Sequence, residues 1–157
     1  MTFGIWKLGI GNSIRAAIVE IPVRYAETDA SGVVWHGSYS AWLEVGRVHL
    51  LQALGLPYTQ VEAAGYAFVV TDLQARYLAP ARFGDVVAVH TRIADLKSRR
   101  IVFEYNVTNA ATGQLLASAR TEHICVGPAG AATSIPPEWR EVLRREDAGQ
   151  EGSENRP

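Results

Sequence analysis

The sequence predicts an α+β fold in which one long helix lies against a face of an antiparallel β-sheet. Three observations carry this. A single stretch, Tyr39 to Leu54, has apolar residues at helical spacing. Four β-patterned segments follow it with almost no helix between them. Turn residues separate those segments, and consecutive strands joined by short turns pair antiparallel. One long helix beside such a sheet must cover one of its faces.

Each element has its own signal. Ala16 to Tyr25 is β-rich, and Pro22 within it marks an edge position or a bulge. A short polar loop leads from there into the helix. Tyr39, Leu43, Gly46, Leu50 and Leu54 recur at steps of four and three, while Ser40, Glu44, Arg47 and Gln52 fall on another side. Gly46 inside a helix costs about 1 kcal/mol relative to Ala, which points to close packing against the sheet. Gly55 ends the helix and Pro57 prevents its restart. Thr59-Gln60-Val61-Glu62 has capping-box spacing for one short helix, ended by Gly65.

The strand candidates are Ala67–Leu78, Asp85–Ala94, Arg100–Thr108 and Leu115–Val126. In the third, Ile101, Phe103, Tyr105 and Val107 alternate with Val102, Glu104, Asn106 and Thr108, the pattern of a half-buried strand. Pro80 with Gly84, then Lys97-Ser98-Arg99, then Asn109 to Gly113 supply the turns. Gly127 to Gly130 breaks the last strand. Ile135 to Leu143 reads as a short C-terminal helix with Pro early in it.

The chain of 157 residues fits one domain with a real core. Residues 1–15 read as an N-terminal extension, 16–127 as the folded domain, 128–145 as a C-terminal loop and short helix, and 146–157 as a disordered tail. Met1 to Arg15 lacks the continuous apolar run of a signal peptide, and no stretch reaches the ~20 apolar residues of a membrane span. A net charge of −1 gives no argument for nucleic acid. A single cysteine, Cys125, excludes an intrachain disulfide and fits a reducing, cytoplasmic setting. It lies in an apolar run and reads as a buried, inert thiol. His36, His49, His90 and His123 are scattered without metal-ligand spacing, so no metal is expected.

The chemistry concentrates in Tyr25 to Tyr39, where a strand end, a polar loop carrying Asp29 and a helix start follow one another. A helix start offers unpaired N–H donors and a partial positive charge. An acid held close to such donors suits attack on a carbonyl whose oxygen those donors bind, which suggests acyl transfer to water. The bland alternative for Asp29 is an Asx-turn aspartate. No G-x-S-x-G elbow and no phosphate-binding glycine loop appears.

Tyr-x-x-Thr-Asp-Ala-x-Gly-Val-Val-Trp-His-x-x-Tyr over residues 25–39, followed by Trp42, Glu44 and Arg47, resembles the hotdog-fold acyl-CoA thioesterases. The similar groups are the 4-hydroxybenzoyl-CoA thioesterase type and its short-chain and tol-pal-associated relatives. The resemblance runs from about Val23 to Val126 and is specific in the Asp29-to-Tyr39 motif. It implies a hotdog fold, a curved antiparallel β-sheet wrapped around one long central helix, with Asp29 as nucleophile or general base. It also implies an oxyanion site at the backbone N–H groups of His36 and Gly37. Some relatives carry tyrosine at the position of His36, so the imidazole is not a family requirement. Other hotdog thioesterases place a catalytic Glu on the central helix. The intact Asp29 motif argues against Glu44 in that role, and Glu44 with Arg47 reads as an ion pair.

Tyr25 is a candidate for substrate binding and for orienting the loop, with core packing as the alternative. Trp35, Tyr39, Trp42, Phe68 and Val69 are candidates to line an acyl pocket, with ordinary core packing as the alternative. Lys97, Arg99 and Arg100 form a basic turn. Similar family members hold coenzyme A phosphates with such a turn; the alternative is a solvated hairpin tip. The expected function is hydrolysis of an acyl thioester to acid and thiol, with coenzyme A entering only as part of the substrate and no cofactor. The alternatives are chain release from an acyl carrier protein and a non-catalytic acyl-binding module. The resemblance also implies a homodimer or homotetramer with sites at the interface.

Overall fold

The chain order of elements is strand, helix, short helix, four strands and a final helix. The computed structural model describes residues 16–145. The expected N-terminal extension (1–15) and disordered tail (146–157) lie outside the described residues. The strands are β1 (Ala16–Pro22), β2 (Ala67–Tyr77), β3 (Val86–Leu96), β4 (Arg100–Asn109) and β5 (Leu115–Val126). The helices are α1 (Tyr39–Ala53), α2 (Tyr58–Ala63) and α3 (Pro137–Arg144). The five strands form one sheet in the order β1-β3-β4-β5-β2, with every neighbouring pair antiparallel. Pro22 ends β1, an edge strand, where a missing N–H costs no ladder bond.

The sheet curls around α1. Register puts Ile101, Phe103, Tyr105 and Val107 on one face with Thr121, Ala119 and Ala117 of β5 and Thr91 and Val89 of β3. Trp42, Leu43 and Leu50 of α1 are buried in the same apolar cluster. Gly46 makes the close approach possible. A Cβ there would lie 2.4 Å from Thr91 Oγ1 and 2.8 Å from Val89 Cγ1. Ile135, Trp139 and Leu143, from the C-terminal segment, are buried and belong to this cluster.

Two expectations need correction. β4 is more than half buried, because Val102 and Asn106 on its outer face are buried as well as the inner set. It is the middle strand of five, so neighbours shield it on both sides. The capping box at Thr59 and Glu62 does not form. α2 already begins at Tyr58 behind Pro57, which puts Thr59 inside the helix rather than at its cap. Cys125 is buried, and burial pushes its thiol up. None of the helices over the described residues is long and apolar enough to cross a membrane.

Candidate active site

The segment between β1 and α1 is built as a strap. Tyr25 to Glu27 make one 3-10 turn, and an isolated bridge between Thr28 and Val34 closes a small loop around Asp29. Within it the Asp29 N–H donates to the Val33 carbonyl at 2.9 Å, and the Gly32 N–H donates to the Asp29 carbonyl at 3.0 Å. Gly32 takes φ +76°, the left-handed region that a glycine reaches at no steric cost. The Ser31 N–H donates to Asp29 Oδ1 at 2.8 Å. The Asx turn is therefore present, and it uses one carboxylate oxygen. Asp29 stays exposed, and Oδ2 makes no hydrogen bond among the described residues.

His36 to Ser38 form a 3-10 turn that runs directly into α1. Among the described residues, neither the His36 nor the Gly37 N–H reaches a backbone carbonyl outside its own turn. Asp29, Val34, His36, Tyr39, Tyr77 and Pro80 border one cleft of about 410 Å³. The acid and the helix start thus share a cavity. Tyr77 Oη donates to the His36 carbonyl at 2.9 Å, tying the helix start to β2. Burial raises the Tyr39 hydroxyl, Tyr77 adds to the rise, and a hydrogen bond with the Ala81 backbone offsets part of it. Burial raises Tyr77 too. Both phenols therefore stay protonated at neutral pH. Gly37 leaves no room for a side chain, since a Cβ would meet the Trp35 ring at 2.3 Å.

The structure unites some candidate residues and separates others. Asp29, His36 and Tyr39 meet in the cleft, with Gly37 beside them in the helix start. Trp35 instead lies over Gly37, half exposed. Tyr25 is 76% exposed and stacks edge-on against Phe83 at 5.6 Å, so its ring is not core. Its backbone does orient the loop, with the carbonyl accepting from Thr28 Oγ1 at 2.7 Å. Phe68 lines a different cavity of about 370 Å³ along α1, together with Arg47, Tyr58, Phe103 and His123. Val69 is exposed, one residue along the same strand. Trp42 is buried and donates through Nε1 to Glu27.

The basic turn sits elsewhere. Lys97 to Arg99 join β3 to β4 at the end of the sheet opposite the Asp29 loop, a strand length of about 30 Å away. Lys97 lies 3.9 Å from Asp95, and Arg100 lies 3.6 Å from Glu122. Within one chain these cations do not approach the cleft. No group of three or more His, Cys, Asp or Glu that could hold a metal occurs among the described residues.

Glu27 and Tyr77 escaped the sequence reading. Tyr77 had a usable signal, since Ala75 and Tyr77 continue the period-2 face of a strand that ends before Pro80. Glu27 had a weaker one, an acid three residues after Arg24 and two before Asp29.

Comparison with known proteins places this architecture. The family model described as the thioesterase-like superfamily matches residues 23–143. The chain belongs to that superfamily. YbgC of Escherichia coli O6:H1, named an acyl-CoA thioester hydrolase, is 37% identical over 109 residues, covering 68% of this chain and 81% of YbgC. The structure of a hypothetical protein, TT1821, from Thermus thermophilus superposes with a TM-score of 0.78 at 46% identity, covering 80% of this chain and 95% of that one. A DHNA-CoA thioesterase from Staphylococcus aureus gives 0.77 at 34%, covering 81% and 87%. The superfamily match extends past β5 through α3, and the fold is the hotdog.

Proposed function

We propose that this protein hydrolyses acyl-CoA thioesters to a carboxylic acid and free coenzyme A. One observation carries the reading: Asp29 and the start of the α1 helical run border the same cleft. A thioester laid with its carbonyl oxygen toward the His36 and Gly37 N–H groups turns its carbonyl carbon toward Asp29. Asp29 either adds to that carbon, giving a mixed anhydride that water opens, or takes a proton from water as its oxygen adds. On either route the C–S bond breaks and the thiolate leaves. Each oxyanion donor contributes ~2.7–4 kcal/mol to lowering the barrier. The imidazole of His36 is not required for either route.

The reading extends to an assembly of at least two copies. β2 is an edge strand, and it exposes Val69, Val70, Leu73 and Tyr77. An exposed apolar edge favours pairing with a second copy. The basic turn of Lys97, Arg99 and Arg100 then serves coenzyme A bound at a neighbouring copy's cleft. The single cysteine supports a cytoplasmic enzyme.

The test is thiol release from a panel of aliphatic and aromatic acyl-CoA substrates, read with a colorimetric thiol reagent. An acyl carrier protein thioester belongs in the same panel. Asp29→Asn is expected to fold and to lose at least ~10²-fold in kcat. Near-normal turnover by the folded variant sinks the mechanism. Acyl-CoA binding without turnover by the wild type favours the non-catalytic module.

A further inference from the structure

Glu27 is 4% exposed, and the reaction just described does not use it. Its surroundings are nonetheless unusually complete. Oε1 accepts the backbone N–H of Arg24 at 2.8 Å and the Arg24 Nε–H at 3.2 Å. Oε2 accepts from Trp42 Nε1 in the first turn of α1. The Glu27 carbonyl accepts the Trp35 N–H at 2.9 Å and Ser38 Oγ at 3.0 Å. One residue therefore joins the segment just after β1, both arms of the strap and α1. The far side of the loop is held separately, by the Val34 N–H on the Ala81 carbonyl at 2.8 Å and by Arg82 on the Gly32 carbonyl at 3.3 Å.

We propose that Glu27 is a positioning residue for thioester hydrolysis, fixing the Asp29 loop relative to the N–H groups at the start of α1. The proposal rests on the reading of Asp29 as the acid that attacks or activates water. Both halves of the site follow Glu27 in the chain, Asp29 two residues after it and His36 nine. The Thr28–Val34 bridge closes the loop on itself, and Glu27 ties that closed loop to Trp35, Ser38 and Trp42 at the start of α1. A misplacement of about 1 Å between reacting groups costs on the order of 10²-fold in rate. All the side-chain partners of Glu27 are donors, so only a group that accepts at both oxygens satisfies them.

That requirement shapes the experiment. In Glu27→Gln, if Oε1 keeps Arg24, the new NH₂ group faces the Trp42 N–H. Two donors then oppose each other and the strap shifts. Adding Trp42→Phe removes the opposing donor. Thioester turnover, thermal stability and circular dichroism are measured on wild type, Glu27→Gln, Trp42→Phe, the double variant and Asp29→Asn. Glu27→Gln is expected to lose at least ~10-fold in kcat with KM within twofold of wild type. The double variant is expected to regain at least about threefold in kcat while its melting temperature falls further. Activity that rises as stability drops is the signature a purely structural role does not produce.

A folded Glu27→Gln with kcat within twofold of wild type overturns the proposal, as does a loss confined to KM. If Glu27→Gln does not fold, Trp42→Phe decides: a lower kcat at unchanged KM supports positioning, and an unchanged kcat overturns it. An inactive Asp29→Asn beside a normal Glu27→Gln removes only the positioning role. An active Asp29→Asn removes the underlying reading, and the positioning role with it.

Discussion

At the scale of single residues, the buried histidine His123 shows how burial decides protonation. It is 1% exposed, and Nε2 meets Thr121 Oγ1 at 2.8 Å. Burial, with the Arg47 guanidinium adding to it, pushes His123 down to about 4. Below its ordinary value near 6.5, the unfolded chain takes up a proton that the folded chain refuses. Stability therefore falls as pH drops from about 6.5 toward 4, by at most about 3 kcal/mol from this residue. Burial lowers His90 as well, in the same direction. Denaturant unfolding across this window checks the point. The wild type is expected to lose stability more steeply than His123→Gln, and parallel curves refute it. At the same scale, Asp29 reconciles two readings that seemed exclusive. It makes the Asx turn through one oxygen while the carboxylate borders the cleft.

At the scale of elements, the packing of α1 on the sheet turns on Gly46. An Ala there gains about 1 kcal/mol of helix propensity. Its Cβ nevertheless falls at 2.4 Å from Thr91 Oγ1 and 2.8 Å from Val89 Cγ1, both on β3 in the middle of the core. Overpacking of this kind costs ~1–3 kcal/mol, so the packing term wins. Gly46→Ala is expected to lower stability, and Gly46→Val to lower it more. Chemical denaturation measures both, and a Gly46→Ala protein more stable than wild type contradicts the account. The helix itself was legible from sequence because its apolar repeat is long. α2 was harder to bound. Its start is set by Pro57 and by packing, and the Thr59–Glu62 spacing imitated a cap two positions too late.

At the scale of the whole molecule, the cleft and the basic turn lie at opposite ends of one sheet. If the turn grips coenzyme A phosphates, it does so for another copy. Light scattering at micromolar concentration is expected to report at least a dimer. Placing lysines at Val70 and Leu73, both exposed on edge strand β2, should dissociate it. A fully active monomer refutes shared sites. Replacing Lys97 and Arg99 with Ala should raise KM for acyl-CoA at nearly constant kcat, because binding felt equally in ground and transition states has that signature. The same variant should treat a truncated acyl thiol lacking the nucleotide as the wild type does. Unchanged KM for full acyl-CoA at low salt makes the turn a solvated hairpin tip.

The sequence by itself determined what depends on local order. The long amphipathic helix, the four later strands, the sharp turns and the motif around Asp29 are all readable in residues near one another. Pro22 at an edge and Gly46 at a close approach were readable too, because each residue type tolerates few environments. The tertiary structure decided which of the candidate residues meet. Phe68 went to a second cavity, Tyr25 to solvent and the basic turn to the far end of the sheet, while Tyr77 arrived at the helix start from 41 residues away. These placements follow from strand order, curvature and register. Each is a sum of many contacts across the chain, and no short window of sequence records that sum. Glu27 is the clearest case, an ordinary acid in the motif until folding surrounds it with donors from Arg24, Ser38 and Trp42.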